Sequence, residues 1–196
     1  MKAPYLLARN ILPLEDAHAI CQYISHNKHL MGENGNPRFN ERNINPAQIE
    51  DVAILESFSR VARRVRNTMR AYFDEPNIHI ETSYLNYWPV GMDLGLHADN
   101  TYYPSLEPNY VWWRTYSAVV YLNGDYTGGE FYFLDGEVIR PSTGDALMFG
   151  GGMPYVHGVR PVLSGVRYTI PIWCTDDKNR VHPQMKTDYF TRETIA

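Results

Sequence analysis

A mainly β fold, a two-sheet jelly roll with flanking amino-terminal helices, is what this sequence predicts. The first 76 residues carry apolar positions at three- and four-residue spacing, the mark of helices with one buried stripe. After Pro76 the texture changes to short runs of Val, Ile, Tyr, Phe and Trp punctuated by Gly, Pro and Asp, which is how packed antiparallel strands read. The chain has 196 residues, 44% hydrophobic and 20% charged, enough to bury one core without covalent staples. The reading is therefore a single domain: helical support over 1–76, a β core over 77–175 and a carboxy-terminal tail over 176–196.

Taken in order, residues 14–30 repeat Ala17, Ile20, Cys21 and Ile24 on one helical stripe, and Pro13 suits a first turn. Residues 32–46 (GENGNPRFNERNINP) are turn chemistry throughout and predict a loop, a candidate lid. From Ala47 to about Phe73 the stripe Ile49, Val52, Leu55/Glu56, Phe58, Val61, Val65, Met69 and Tyr72 predicts a long helix that buttresses a sheet. Arg60, Arg63, Arg64, Arg66 and Arg70 fall mostly off that stripe and read as one solvated face. Strands are expected at 78–88, 94–98, 115–122, 130–134, 137–139, 146–149, 156–161 and 166–173, with no helix after Pro76. No repeat or low-complexity tract interrupts them.

Composition excludes several classes. A formal net charge of −4 with scattered cations offers no broad basic surface for nucleic acid. Cys21 and Cys174 lie far apart with no CxxC spacing, so neither a staple nor a zinc site is expected, and a reduced, cytoplasmic setting follows. The amino terminus breaks its apolar runs with Arg9, Glu15 and Asp16, so no membrane span or export signal is expected. No GxSxG, P-loop or HExxH pattern marks acyl transfer, nucleotide hydrolysis or a zinc protease.

The chemistry concentrates in His97-x-Asp99, with His157 sixty residues on and Arg167 ten after that. Two imidazoles and a carboxylate can hold three facial positions of an octahedral metal and leave the others open. On a strand, positions i and i+2 share a face, so His97 and Asp99 can enter one sheet mouth together. Arg167, Thr169, Pro171 and Trp173 share one face of the last strand, and Arg167 offers a fork for a carboxylate. His79-x-Glu81 competes on local spacing but has no matched distal His and Arg.

These residues resemble the Fe(II)- and 2-oxoglutarate-dependent dioxygenases, in their prolyl 4-hydroxylase-like branch. The likeness runs from about Ser83 to Trp173. It rests on Asn86-Tyr87-Trp88-Pro89, His97-Ala98-Asp99, Tyr121-Leu122-Asn123, Gly128-Gly129-Glu130, Gly144-Asp145-Ala146, His157-Gly158-Val159 and Arg167-Tyr168-Thr169 in the family's order. The resemblance implies a double-stranded β-helix with Fe(II) on His97, Asp99 and His157, and 2-oxoglutarate paired through its distal carboxylate to Arg167. It further implies help from Thr169 and Tyr87, O2 as oxidant, and ascorbate as a candidate reductant. Asp99 argues against halogenation; hydroxylation, desaturation and cyclisation stay open. Where animal protein hydroxylases carry a second Tyr before Tyr-Leu-Asn, this chain has Val120.

The segment 100–114 is aromatic and broken by proline, so it is read either as a cavity wall or as cover for the sheet's apolar edge. Tyr103, Trp113, Arg114 and Trp173 are the substrate candidates, with Arg114 pairing with an acidic substrate group or with Glu107. The first reading is oxidation of a small molecule such as an amino acid or metabolite. The second is hydroxylation of a prolyl or other side chain in a peptide or protein. The third, from another class, is a non-catalytic jelly-roll binding protein. The sequence leaves the oligomeric state open.

Overall fold

The structure is a computed structural model that describes residues 5–32 and 42–193. Among these residues thirteen strands run in chain order: β1 (Leu6–Ala8), β2 (Asn43–Ile44), β3 (His79–Ser83), β4 (Leu85–Trp88), β5 (Leu94–His97), β6 (Tyr116–Tyr121) and β7 (Thr127–Gly128), then β8 (Phe131–Phe133), β9 (Val138–Ile139), β10 (Ala146–Gly150), β11 (His157–Val159), β12 (Val162–Ser164) and β13 (Arg167–Thr175). Three α-helices accompany them among the described residues, α1 (Leu14–His26), α2 (Val52–Phe73) and α3 (Asp188–Thr191). The major sheet has the order β1-β10-β6-β13-β4-β2, with β3 also on β13; the minor sheet is β5-β11-β8-β9, and β12 pairs with β7. Every pairing is antiparallel, as a jelly roll requires.

The helices begin where backbone chemistry allows. Asp51 caps α2 by accepting from Ala53 N and Ile54 N, so the helix starts at Val52 rather than at Ala47, and Pro46–Gln48 forms a separate 3₁₀ turn. Pro13 stands just before α1, at its N-cap, and Lys28–Leu30 is a 3₁₀ turn beyond the helix. The candidate lid falls largely on residues 33–41, outside the described residues. Short strands at 6–8, 43–44 and 127–128 escape the sequence reading because two or three residues show no period.

Two cores result. Helices α1, α2 and α3 pack on the outer face of the major sheet through Ile20, Phe58, Val65, Phe190, Ile170 and Ile172. Between the sheets lie Trp88, Tyr121, Phe131, Phe133 and Phe149. Strand alternation sorts β13 accordingly: Ile170, Ile172 and Cys174 join the helix-side core while Arg167, Thr169, Pro171 and Trp173 line the space between the sheets.

The arginine row of α2 corrects the expectation of a solvated face, because Arg63 and Arg66 are buried. Arg63 donates to the Tyr189 carbonyl, while Arg66 donates to those of Phe190 (3.2 Å) and Arg192 (3.0 Å), and Arg70 to Ile78 O (3.0 Å). Burying a guanidinium is tolerable when most of its donors are met, and carbonyls of the carboxy-terminal segment supply acceptors to Arg63 and Arg66, although Arg63 Nε has none among the described residues. Beyond Pro76 there is thus a helix after all. Residues 178–193 form two 3₁₀ turns and α3, with Met185 and Phe190 buried in the helix-side core.

Candidate metal and co-substrate site

His157 opens β11 directly opposite His97 at the end of β5, and their rings lie 4.3 Å apart. Asp99 is not on the strand, as the i, i+2 argument supposed. It follows the strand's end in a turn fixed by Asp99 N donating to Gly151 O (2.8 Å) and Asn109 Nδ2 donating to Asp99 O (3.0 Å). The outcome is nonetheless convergence: one ligand atom each from His97, Asp99 and His157 lies within 4.8 Å of the others.

Both imidazoles are already oriented. Nδ1–H of His97 donates to Gly95 O (2.9 Å) and Nδ1–H of His157 to Tyr155 O (2.8 Å), which leaves each Nε2 lone pair for a cation. Phe131 stacks on His157 at 4.7 Å and Phe149 meets it edge-on at 4.8 Å, fixing the ring plane. Burial, seconded by the charge of His97, pushes His157 down to about 4 against the pull of Asp99, so its neutral form prevails near neutrality. Burial works to raise Asp99, yet His157 and His97, with Ser117 and Trp173 beside it, hold it below the usual carboxylate range. Two imidazole nitrogens and one carboxylate oxygen suit a divalent ion.

The site opens into a cavity of about 330 Å³ whose far wall is β13. Arg167 is only 1% exposed, and its Nε and Nη1 meet no hydrogen-bond acceptor among the described residues. A buried guanidinium with idle donors is costly unless a ligand completes it. The faces of Trp88 (4.9 Å) and Tyr121 (5.2 Å) flank it, and Trp88 Nε1 donates to Thr169 Oγ1 (3.1 Å). Gly129 makes room for its stem: a Cβ there would stand 2.9 Å from Arg167 Cδ, on a backbone at φ +64°. These residues fit a dicarboxylate that reaches from the metal to the guanidinium.

Tyr87 does not belong to this pocket. Arg167 pairs in register with Trp88, so Trp88 and Asn86 share its face. Tyr87 turns to the other side, against Tyr168 and Lys28. The phenol beside Arg167 is Tyr121, which sequence reasoning passed over although its own motif contained it. Burial raises the Tyr121 hydroxyl to about 12, so it stays protonated as a donor.

Of the substrate candidates, Arg114 and Trp173 line the cavity; Tyr103 and Trp113 do not, and the loop contributes Asn109, Tyr110 and Val111 instead. Arg114 pairs neither with Glu107 nor with open solvent. Its Nε donates to buried Glu81 (2.9 Å) and its guanidinium lies 4.5 Å from the Trp173 ring. That pair also removes Glu81 from the competing His79-x-Glu81 reading. Trp113 donates Nε1 toward the same carboxylate (3.5 Å) and sits under Arg180 (4.6 Å).

Facial donors on one side of an ion leave its other side free for a second reactant, and a jelly roll built around that arrangement defines the class of non-haem metal oxygenases. Comparison gives the particular family. The model of the 2OG-Fe(II) oxygenase superfamily matches residues 82–175, the β region of this chain, and the name of that superfamily specifies Fe(II) and 2-oxoglutarate. Human prolyl 3-hydroxylase 1 is 33% identical over 143 residues, covering 61% of this chain and 19% of that protein; the mouse protein is 43% identical over 77 residues, 36% and 10%. The chain thus spans about a fifth or less of the length of these relatives.

A prolyl-4-hydroxylase from Pseudomonas putida superposes with a TM-score of 0.64 at 17% identity, over 89% of this chain and 93% of that one. The viral collagen prolyl hydroxylase of Paramecium Bursaria Chlorella virus-1 gives 0.60 at 16%, over 89% and 96%. At such identities these likenesses establish the fold.

Proposed function

We propose that this chain is an Fe(II)- and 2-oxoglutarate-dependent hydroxylase of prolyl residues within a peptide or protein. His97, Asp99 and His157 hold the metal, and Arg167, with Thr169 and the Tyr121 hydroxyl beside it, takes the distal carboxylate of 2-oxoglutarate. Bound Fe(II) supplies the oxidation, coupling decarboxylation of 2-oxoglutarate by O2, to succinate and CO2, to insertion of one oxygen atom into a substrate C–H bond. The protein orients the ligands through Gly95 and Tyr155, keeps His157 neutral and excludes water with Phe131, Phe149 and Trp88.

The observation that carries the reading is the buried, unpartnered guanidinium of Arg167 facing the same cavity as the three converging ligand atoms. The names of the sequence relatives favour a prolyl residue in a polypeptide over the small metabolite that the sequence alone put first. The test incubates the chain with Fe(II), 2-oxoglutarate, ascorbate and O2, offering prolyl peptides or free amino acids. Succinate matched by a one-oxygen mass gain on the peptide's proline is expected, and amino-acid analysis reads which carbon is hydroxylated. Oxidation of free amino acids alone would return the reading to a small-molecule oxygenase. Absence of both Fe(II) and 2-oxoglutarate binding would make it a binding protein.

A further inference from the structure

One wall of the cavity carries polar groups that neither the metal nor the co-substrate uses. Asn86 on β4 and Asn43 on β2 are Cα partners in register, and both line the cavity. Each is 4% exposed, and Asn86 Oδ1 meets no hydrogen-bond donor among the described residues. Across the major sheet the row runs Tyr121, Thr169, Asn86, Asn43, so the pair lies beyond Thr169, toward the edge strand and away from β6. A buried amide left unmet costs about 1–3 kcal/mol, and an apolar side chain of the same shape would avoid that cost. The unmet Asn86 carbonyl therefore has no reason to be there for stability alone, and Asn43 sets a second carboxamide beside it on the same face.

The charges around them narrow the ligand. Besides the two histidines, the cationic side chains lining the cavity are Arg167 and Arg114. Arg167 is taken by the co-substrate in the reading above, and Arg114 is compensated by Glu81 at 2.9 Å. A free amino acid would bring a carboxylate for which the described lining residues leave no uncompensated cation, and an ammonium that two neutral amides serve poorly. A main-chain amide brings one donor and one acceptor, and adjacent carboxamides on one sheet face match both.

We infer that Asn43 and Asn86 form a peptide subsite that holds a main-chain amide next to the target residue and so selects an internal residue over a free amino acid. This rests on the peptide reading above and deepens it.

The test uses the full chain with Fe(II) and 2-oxoglutarate under anaerobic conditions for binding, and with O2 for turnover. The probes are acetylated and amidated proline peptides, the same peptides with alanine in place of proline, a peptide with an ester replacing the flanking amide, and free proline. Asn86→Leu and Asn43→Leu are each expected to raise the peptide Kd and KM about tenfold or more. The 2-oxoglutarate Kd and the melting temperature of the metal-free chain should hold, and the ester probe should lose its handicap in the variants.

The inference is overturned if Asn86→Leu weakens 2-oxoglutarate and leaves the peptide alone, if it melts the chain, or if free proline binds as tightly as blocked peptide. Should both peptide series bind through the asparagines while no proline gains oxygen, the subsite stands and the prolyl reading falls. Should proline be hydroxylated with neither variant affecting it, the prolyl reading stands and the subsite falls.

Discussion

Arg167→Met separates ligand binding from folding in one side chain. The guanidinium is 1% exposed with Nε and Nη1 idle, so folding the metal-free chain carries an unmet desolvation of about 1–3 kcal/mol per group. Cation–π contact with Trp88 at 4.9 Å and Tyr121 at 5.2 Å returns about 0.5–2 kcal/mol each. The two nearly cancel, and Met keeps most of the packed volume, so the metal-free variant should melt within a few degrees of the parent. With 2-oxoglutarate the balance changes, because two charge-assisted bonds of about 1.5–3 kcal/mol each are lost, a weakening of at least about a hundredfold. Calorimetric titration with 2-oxoglutarate under anaerobic Fe(II) measures the second effect. Thermal melts measure the first: ligand at a hundred times Kd stabilises the parent by about 2.7 kcal/mol and should scarcely move the variant. Fe(II) affinity should stay within about tenfold, since no metal ligand is touched. An unchanged 2-oxoglutarate Kd, or a metal-free variant that unfolds several kcal/mol earlier, would refute the assignment of Arg167 as a ligand-completed cation.

Gly129→Ala places a methyl 2.9 Å from Arg167 Cδ on a backbone at φ +64°, so it should lower stability by about 1–2 kcal/mol and raise the 2-oxoglutarate Kd; urea melts and the same titration check both. Arg66→Met removes donors from Phe190 O, Arg192 O and Glu193 Oε2, costing about 2–3 kcal/mol and exposing the carboxy-terminal segment, which limited proteolysis detects; an unchanged cleavage pattern argues against the clamp. For the metal-free chain, His157 falls from its ordinary 6.5 to about 4 because of burial and His97. Its folded value lies below its unfolded one, so the unfolded chain binds the extra proton. Stability present above about pH 6.5 is lost as pH falls toward 4, by up to roughly 3 kcal/mol, and His157→Gln should flatten that slope in denaturant melts. Equal slopes for parent and variant would show that another group titrates.

The order of elements and the residues that converge at the mouth were legible because periodicity and ligand spacing are local signals. What failed needed a partner from elsewhere. Tyr87 and Trp88 are equally plausible pocket residues until the register of β4 on β13 is known, and one residue of slip exchanges the two faces. Arg63 and Arg66 look solvated in sequence because their acceptors, the carbonyls of Tyr189, Phe190 and Arg192, lie more than a hundred residues away. For Arg114 the sequence offered an acidic substrate group or Glu107, nearby in the chain, whereas β3 delivers Glu81. Asp99 came out beside the histidines by a turn pinned to Gly151 rather than by strand alternation, so its grouping was readable and its support was not.

The two halves of the site are held by structures of different stiffness. Arg167 and Thr169 stand on β13, which pairs with β6 on one side and with β3 and β4 on the other, and carries a packed core on its reverse face. A slip there would expose Ile170 and Ile172 and bury polar groups in their place, so the guanidinium and its hydroxyl neighbour are over-determined. The metal ligands hang on the smaller sheet. There β5 pairs with β11 through His157 and His97, the register shifts between His157 and Val159, and Asp99 hangs on a turn. Convergence of His97, Asp99 and His157 therefore depends on second contacts, the carbonyls of Gly95, Tyr155 and Gly151 and the rings of Phe131 and Phe149, more than on the ladder itself. A bound ion would tie together ends that the sheet alone holds loosely, while the co-substrate would meet a receptor already formed.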